Sequence, residues 1–334
     1  MIKYIVILVL FLFSCKNDSD TKTNNQLKGQ AFGTYYYITA SDEENLSKLR
    51  PSIVNLIDSI NQSMSTYVDT SIISKLNQNK SQEVDEMFLD VYECSKKIYR
   101  ETDGYFDPTA GVLVNYYGFG SQMKDSSDIQ LDSLKTLVGF DLLQRNGKMI
   151  KKKYKPIYID FNSIAKGYAV DQFVNLLKNE GYKNFLIDIG GEVYANGIKK
   201  KDQNWKVGID RPVKNNESSS RELSAKIKLK NKAMATSGNY RKYKINKDTG
   251  KETSHTINPI TGEAKPSSIL SASVIADKCM DADAYATTLM AMGHKKALHF
   301  LNDKSKIEAY LIYKSEDSKE KTFMTKGFKK LIID

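Results

Sequence analysis

Asp283 and Thr287 stand four residues apart in MDADAYATTLMAM (280–292), an apolar run without proline that reads as the start of a buried helix. Four-residue spacing puts two side chains on one helical face. A carboxylate and a hydroxyl there, joined by a backbone carbonyl from elsewhere, make a hard-oxygen set that suits magnesium, with waters and ligand phosphates completing the octahedron. Carboxylates at a helix start can equally be caps, and Asp281 is the residue expected to cap this helix. Spacing alone does not decide between the two roles of Asp283.

Four other stretches carry groups that a charged ligand could use. In DFNSIAKGYAVD (160–171) a polar turn opens a helix, and Lys166 lies within its first turn. Free amides, the positive end of the helix dipole and an ammonium together favour a phosphate or pyrophosphate; a capped helix with a solvated lysine is the plainer alternative. Gly190-Gly191 in GGEVYANG permits positive φ and a close approach by a ligand or a neighbouring strand. ATSGNYRKY (235–243) offers hydroxyls and a ring, either to cover a polar ligand or as a hairpin turn. In SHTINPITGE (254–263), turn residues follow His255, a candidate proton carrier near neutral pH that structural roles also explain.

The elements that must position these groups mix helix and strand throughout. Residues 32–41 read as a strand, and 43–63 carry Leu46, Leu49, Ile53, Leu56, Ile57 and Ile60 at helical spacing. A second helix is expected over 82–102, with Gly104 ending it, and its apolar face includes Cys94. Residues 157–181 read as strand, turn and helix, and 185–197 as strand, Gly-Gly bend and strand. Further strands are expected at 205–212, within 223–238, at 271–277, around 309–313 and over 326–333. Segments 120–135 and 213–222 are polar and read as loops. The fold class is therefore α+β or α/β, with strands and helices in one layered body.

The N-terminus, MIKYIVILVLFLFSC, has Lys3, ten apolar residues from Tyr4 to Phe13, then Ser14-Cys15. That run is too short to span a bilayer but suits a secretory leader, and its ending resembles a bacterial lipobox with Cys15 as the acylated residue. Residues 16–28 are polar and read as a tether, leaving a single domain over 29–334. An exported, membrane-anchored lipoprotein facing the periplasm is the expectation. Cys94 and Cys279 are then left as a pair whose bonding spacing does not establish. No CxxC or HExxH occurs and there are only three histidines, which argues against zinc.

With 334 residues, 40% hydrophobic and 27% charged, the chain can bury a sizeable core. A net charge of +10 suits an anionic partner: a phosphate-bearing ligand, a membrane surface or nucleic acid. The lysines, however, fall in small clusters (151–153, 199–201, 228–232, 319 and 321) that are not interleaved with aromatics, so nucleic acid is set aside.

Taken in order, these stretches resemble the ApbE family of FAD:protein FMN transferases from about Gly29 to Gly293. The matching motifs are FGT (32–34), MSTYVDTSIISKLN (64–77), GYFDPTAGVLVNYYGFG (104–120), DFNSIAKGYAVD, IGGEVYANG, TSGNY, HTINPITG and DADAYATT. The resemblance implies a T-fold-related α+β body and an enzyme that binds FAD and Mg²⁺. It would cleave the pyrophosphate, move FMN onto a Thr or Ser hydroxyl of an acceptor redox protein through a phosphoester, and release AMP. Asp283 and Thr287 match the family's metal ligands, with a backbone carbonyl of the 162–164 turn, taken as Ser163, completing the protein share. Phe32, Tyr67, Phe106, Asp107, Asp160, Lys166, Gly190, Ser237, Tyr240 and Ile257 match positions lining the FAD site, and His255 is the candidate base. Phe32 replaces a usual methionine, and Tyr116-Tyr117 stands where tryptophan is common. Two other readings use the same residues: a Mg²⁺-dependent FAD pyrophosphatase giving FMN and AMP, and a flavin-binding lipoprotein without catalysis.

Overall fold

The computed structural model describes residues 25–41, 45–122, 130–201, 203–213, 222–239, 243–245, 252–304 and 307–333. The chain enters through a hairpin, β1 (Gln26–Ala31) and β2 (Thr34–Ala40), turned by Phe32 and Gly33 at φ of 52° and 73°. A two-residue hairpin turn calls for positive φ at both positions, which Phe32, unlike glycine, adopts against its own Cβ. The tether expected over 16–28 therefore ends early. Gln26, Leu27 and Lys28 pair with Thr39, Ile38 and Tyr37, and Leu27 is buried.

Helices α1 (Arg50–Met64), α2 (Ile72–Asn77), α3 (Glu86–Glu101), α4 (Gly111–Tyr116) and α5 (Leu131–Lys135) follow. The apolar stripe read over 43–63 divides into a 3-10 turn at Leu46–Leu49 and α1, which buries Ile53, Ile57, Ile60 and Met64 on one face. α3 starts where Asp85 accepts a bond from the Phe88 N–H, and ends before Asp103 and Gly104, both at positive φ.

A short hairpin, β3 (Leu143–Asn146) and β4 (Met149–Lys152), leads to α6 (Ala165–Asn179). The strand expected at 157–161 is absent. That segment makes a single bridge, Ala110 to Tyr158, and side chains do the rest. The Asn77 amide brackets Ile159, donating to its carbonyl at 2.9 Å and accepting its N–H at 2.8 Å. Lys152 Nζ donates to the carbonyls of Asn77 and Ile157, and burial pulls its pKa down to about 8. Buried backbone groups need partners, not necessarily strand partners.

The remaining elements are β5 (Phe185–Ile189), β6 (Glu192–Asn196), β7 (Trp205–Asp210), β8 (Leu223–Leu229), β9 (Lys232–Gly238), β10 (Tyr243–Ile245), β11 (Glu252–Ser254) and β12 (Ile269–Ala276). They are followed by α7 (Cys279–Lys304), β13 (Glu308–Lys314), β14 (Glu320–Met324), α8 (Lys326–Lys329) and β15 (Ile332–Ile333). Half of the strand expected over 326–333 is α8, capped by Thr325, and only two residues are strand.

An antiparallel sheet of eight strands runs β1-β2-β5-β6-β9-β12-β13-β14. One face carries α1, α3, α6 and α7 over a large core; the other is covered by the β15-β8-β7 sheet and α8 over a smaller one built on Trp205, Ile227, Leu229 and Phe328. Coverage on both faces explains why β12 is buried along nearly its whole length instead of alternating. This is the mixed, layered α+β body expected. No helix among the described residues is long and apolar enough to cross a membrane.

The start of α7 corrects another expectation. The helix begins at Cys279, and its first amides are capped from α6: the Asp171 carboxylate accepts from Cys279 N–H at 2.8 Å and from Met280 N–H at 2.9 Å. Asp281 lies inside the first turn, where it accepts from the Cys94 thiol at 3.2 Å and pairs with Lys97. Cys94 and Cys279 are both buried free thiols, not a disulfide.

Candidate active site

A cavity of about 830 Å³ opens where the loops at one end of the main sheet meet the starts of α6 and α7. Of the residues singled out from the sequence, Phe32, Tyr67, Phe106, Asp107, Asp160, Ser163, Lys166, Gly190, Ser237, His255, Ile257, Asp283 and Thr287 all line it. Tyr240 and Cys15 lie outside the described residues.

Asp283 is brought in by a close helix crossing. A Cβ on Gly167 would sit 2.4 Å from the Cys279 carbonyl oxygen and 2.8 Å from Asp283 Cβ, so only glycine lets α6 and α7 touch there. Across that contact the Gly167 N–H donates to Asp283 Oδ2 at 2.9 Å. Burial pushes the Asp283 carboxyl up to about 7, with Lys166 opposing the shift and Glu192 adding to it. Thr287 Oγ1 lies 3.2 Å from Ser237 Oγ, so β9 contributes a second hydroxyl beside the helical pair. These are oxygen donors only, with Ser163 in the same wall, and they fit a hard divalent cation such as Mg²⁺.

Lys166 does not stand free in solvent. Its Nζ is 2.5 Å from Glu192 Oε1, and Glu192 is 2% exposed on β6 with Oε2 lacking a hydrogen-bond partner among the described residues. A buried carboxylate in this state is costly unless a cation or donor completes it. Glu192 belongs to the GGEVYANG motif but is not among the candidate residues drawn from the sequence. The available signal was a charged residue on a strand whose neighbours are apolar.

The two acidic residues matched to the flavin site are engaged locally. Asp107 Oδ1 accepts from the N–H and hydroxyl of Thr109 at 2.8 and 2.6 Å, and burial lifts its carboxyl to about 6. Asp160 accepts the Asn162 N–H at 2.8 Å and is likewise raised by burial. Both fix turns that shape the wall. Tyr67 is 64% exposed at the rim, its ring available to a ligand. On the aromatic side, Tyr116 and Tyr117 pack on each other, and Tyr117 donates to the Gly262 carbonyl. It is Phe119, which was not singled out, that reaches the cavity, edge-on to the His255 ring at 6.4 Å.

Comparison with known proteins identifies the family. The ApbE family model matches residues 32–311. The chain belongs to the ApbE family. It is 31% identical to the FAD:protein FMN transferase of Haemophilus influenzae, over 98% of this chain and 96% of that one. With the enzyme of the same name from Vibrio cholerae it shares 30% identity over 96% of each chain. Among solved ApbE structures, the flavin transferase from Vibrio cholerae superposes with a TM-score of 0.78 at 29% identity, covering 92% of this chain and 98% of its own. The apo flavinyl transferase of Pseudomonas stutzeri gives 0.79 at 26% identity, covering 92% and 96%. The cavity described above thus lies within an ApbE body, lined by the motifs of that family.

Proposed function

We propose that the protein is a Mg²⁺-dependent FAD:protein FMN transferase, exported and held at the membrane through Cys15. The observation that carries the reading is one cavity, of a size suited to a large cofactor, joining an apolar and aromatic wall to half-buried Lys166 and the buried Glu192 and Asp283 where α6, β6 and α7 meet. The flavin would lie against Phe32, Tyr67, Phe106 and Ile257, and the pyrophosphate would meet the α6 amides and the Lys166 ammonium. Asp283, Thr287 and the Ser163 carbonyl would hold the Mg²⁺, which when bound neutralises charge on the phosphate oxygens.

In the transfer, the acceptor Thr or Ser oxygen bonds to the FMN phosphorus, and the bond from that phosphorus to the bridging oxygen breaks. AMP leaves with that oxygen, and the hydroxyl proton passes to His255 as the candidate base. Incubating the protein with FAD, Mg²⁺ and a candidate acceptor, then reading flavin fluorescence on the acceptor in a denaturing gel, tests this. Labelled acceptor and released AMP are expected. FMN and AMP with unlabelled acceptor would make it a pyrophosphatase instead, and no AMP at all a flavin-binding protein.

A further inference from the structure

The main sheet has a second end, opposite the cavity. Register places Gln26, Ala40, Phe185, Asn196 and Lys232 along it, while the 32–33 turn, Gly190 and Gly238 lie at the cavity end. Hydrogen bonds join the loops of this second end into one surface. Ala40 N–H donates to the Asn25 carbonyl and Ser41 N–H to the Asn184 carbonyl, both at 2.9 Å. Asn184 Oδ1 accepts the Ile198 N–H at 3.0 Å, and Gly197 N–H donates to Asn231 Oδ1 at 2.7 Å. Asn25, from which the preceding residues depart, is thereby tied to the turn between β8 and β9.

That surface is crowded with exposed lysines: Lys183, Lys199, Lys200, Lys201, Lys230 and Lys232. Only Lys232 forms an ion pair with a described residue, Asp277. Asp202 is the one acid in the sequence between Lys199 and Trp205. Beside them Lys206 and Lys228 are register partners on β7 and β8, both exposed. Like charges directly opposed across a sheet destabilise it, which fold stability alone does not account for. A hollow of about 310 Å³ lined by Lys228, Lys230 and Lys232 continues the patch.

We propose that this lysine-rich end is a docking face for an anionic phospholipid surface, turning the cavity away from the membrane toward its protein acceptor. Two facts select a lipid surface over other polyanions. The acylation site proposed at Cys15 belongs to the segment that joins the body at this end. The ten residues from Lys16 to Asn25 reach at most roughly 35 Å when extended, which keeps the body near any bilayer that holds Cys15. Attraction of clustered lysines to an anionic leaflet acts within about a Debye length, so a short leash and a basic face reinforce each other. The inference rests on the Cys15 anchor of the proposed function, goes beyond flavin transfer and is tested without it.

The test uses the full chain reconstituted in vesicles of phosphatidylcholine alone or enriched in phosphatidylglycerol, with lysines labelled by an amine-reactive reagent and mapped by mass spectrometry. In the anionic vesicles, labelling of Lys199–Lys201 and Lys230 should fall severalfold relative to Lys265 at the cavity end, and recover in high salt. Cosedimentation with neutral vesicles reports the N-terminal anchor separately, so its failure is distinguishable. A variant with Lys199→Glu, Lys200→Glu, Lys201→Glu and Lys230→Glu should lose the anionic-specific protection at Lys183 and Lys232. Equal labelling in both vesicle types, protection of Lys265 instead, or the same protection from inorganic phosphate alone would overturn the proposal.

Discussion

Two carboxylates meet at the crossing of α6 and α7, and their surroundings differ in one respect. Asp171, on α6, accepts two amide hydrogens from the start of α7, one on each oxygen. Asp283, on α7, accepts one amide hydrogen back from α6, and it lines the cavity. The helices thus exchange acceptors across a contact that Gly167 permits. Saturation makes Asp171 a structural clamp. A single amide bond and a place in the cavity wall beside Lys166 and Glu192 suit Asp283 to the ligand role proposed for it.

Removing each carboxylate in turn is the strongest way to break this comparison. Asp283→Ala should lower flavin transfer by about 10³-fold or more, the scale of losing a group that stabilises transition-state charge. Thermal melting should show it still folded; full activity would sink the metal assignment. Asp171→Ala should do the reverse. Two buried amides lose their acceptor, costing about 2–3 kcal/mol in urea unfolding, while the folded fraction keeps its turnover. If Asp171→Ala abolishes activity without loss of stability, the division of roles is wrong.

A smaller effect sharpens the site's edge. Glu192→Gln keeps the shape but removes the charge opposite Lys166, and kcat should drop by about tenfold, with little change in melting temperature. Unchanged kinetics would make the pair merely structural. The smallest effect is in pH. Burial raises the Asp171 carboxyl to about 6 from an ordinary 3.8, against the two amide bonds that lower it. The folded protein therefore holds that proton over a range where the unfolded chain has lost it. The contribution is fully present below about pH 4 and is lost as pH rises through about 6. Urea midpoints taken across this range should show a flatter profile for Asp171→Asn than for the parent. An identical profile would place the titration elsewhere.

Much of the site was legible because its residues are punctuated by types with few conformational choices. Gly190-Gly191, Asn258-Pro259 and the spacing of Asp283 and Thr287 announce turns and a shared face wherever they occur. Local pattern also found α1, α3, β5, β6, β12 and β13. It failed where a side chain from a distant segment replaced a local partner. Asn77 and Lys152 stand in for a neighbouring strand at 157–161, Asp171 stands in for a local cap on α7, and Thr325 turns expected strand into helix. Such substitutions leave no periodicity to read.

The sequence by itself determined the family, the order of the motifs and the chemical types available, since those depend on residue identity and short-range geometry. Tertiary structure alone decided which carboxylate is clamped by two amides, that Glu192 holds Lys166, that Phe119 and not Tyr116 or Tyr117 reaches the cavity, and that two buried thiols stay apart. Each of these turns on which partners come within hydrogen-bond or packing distance across the fold, and burial sets what those contacts are worth.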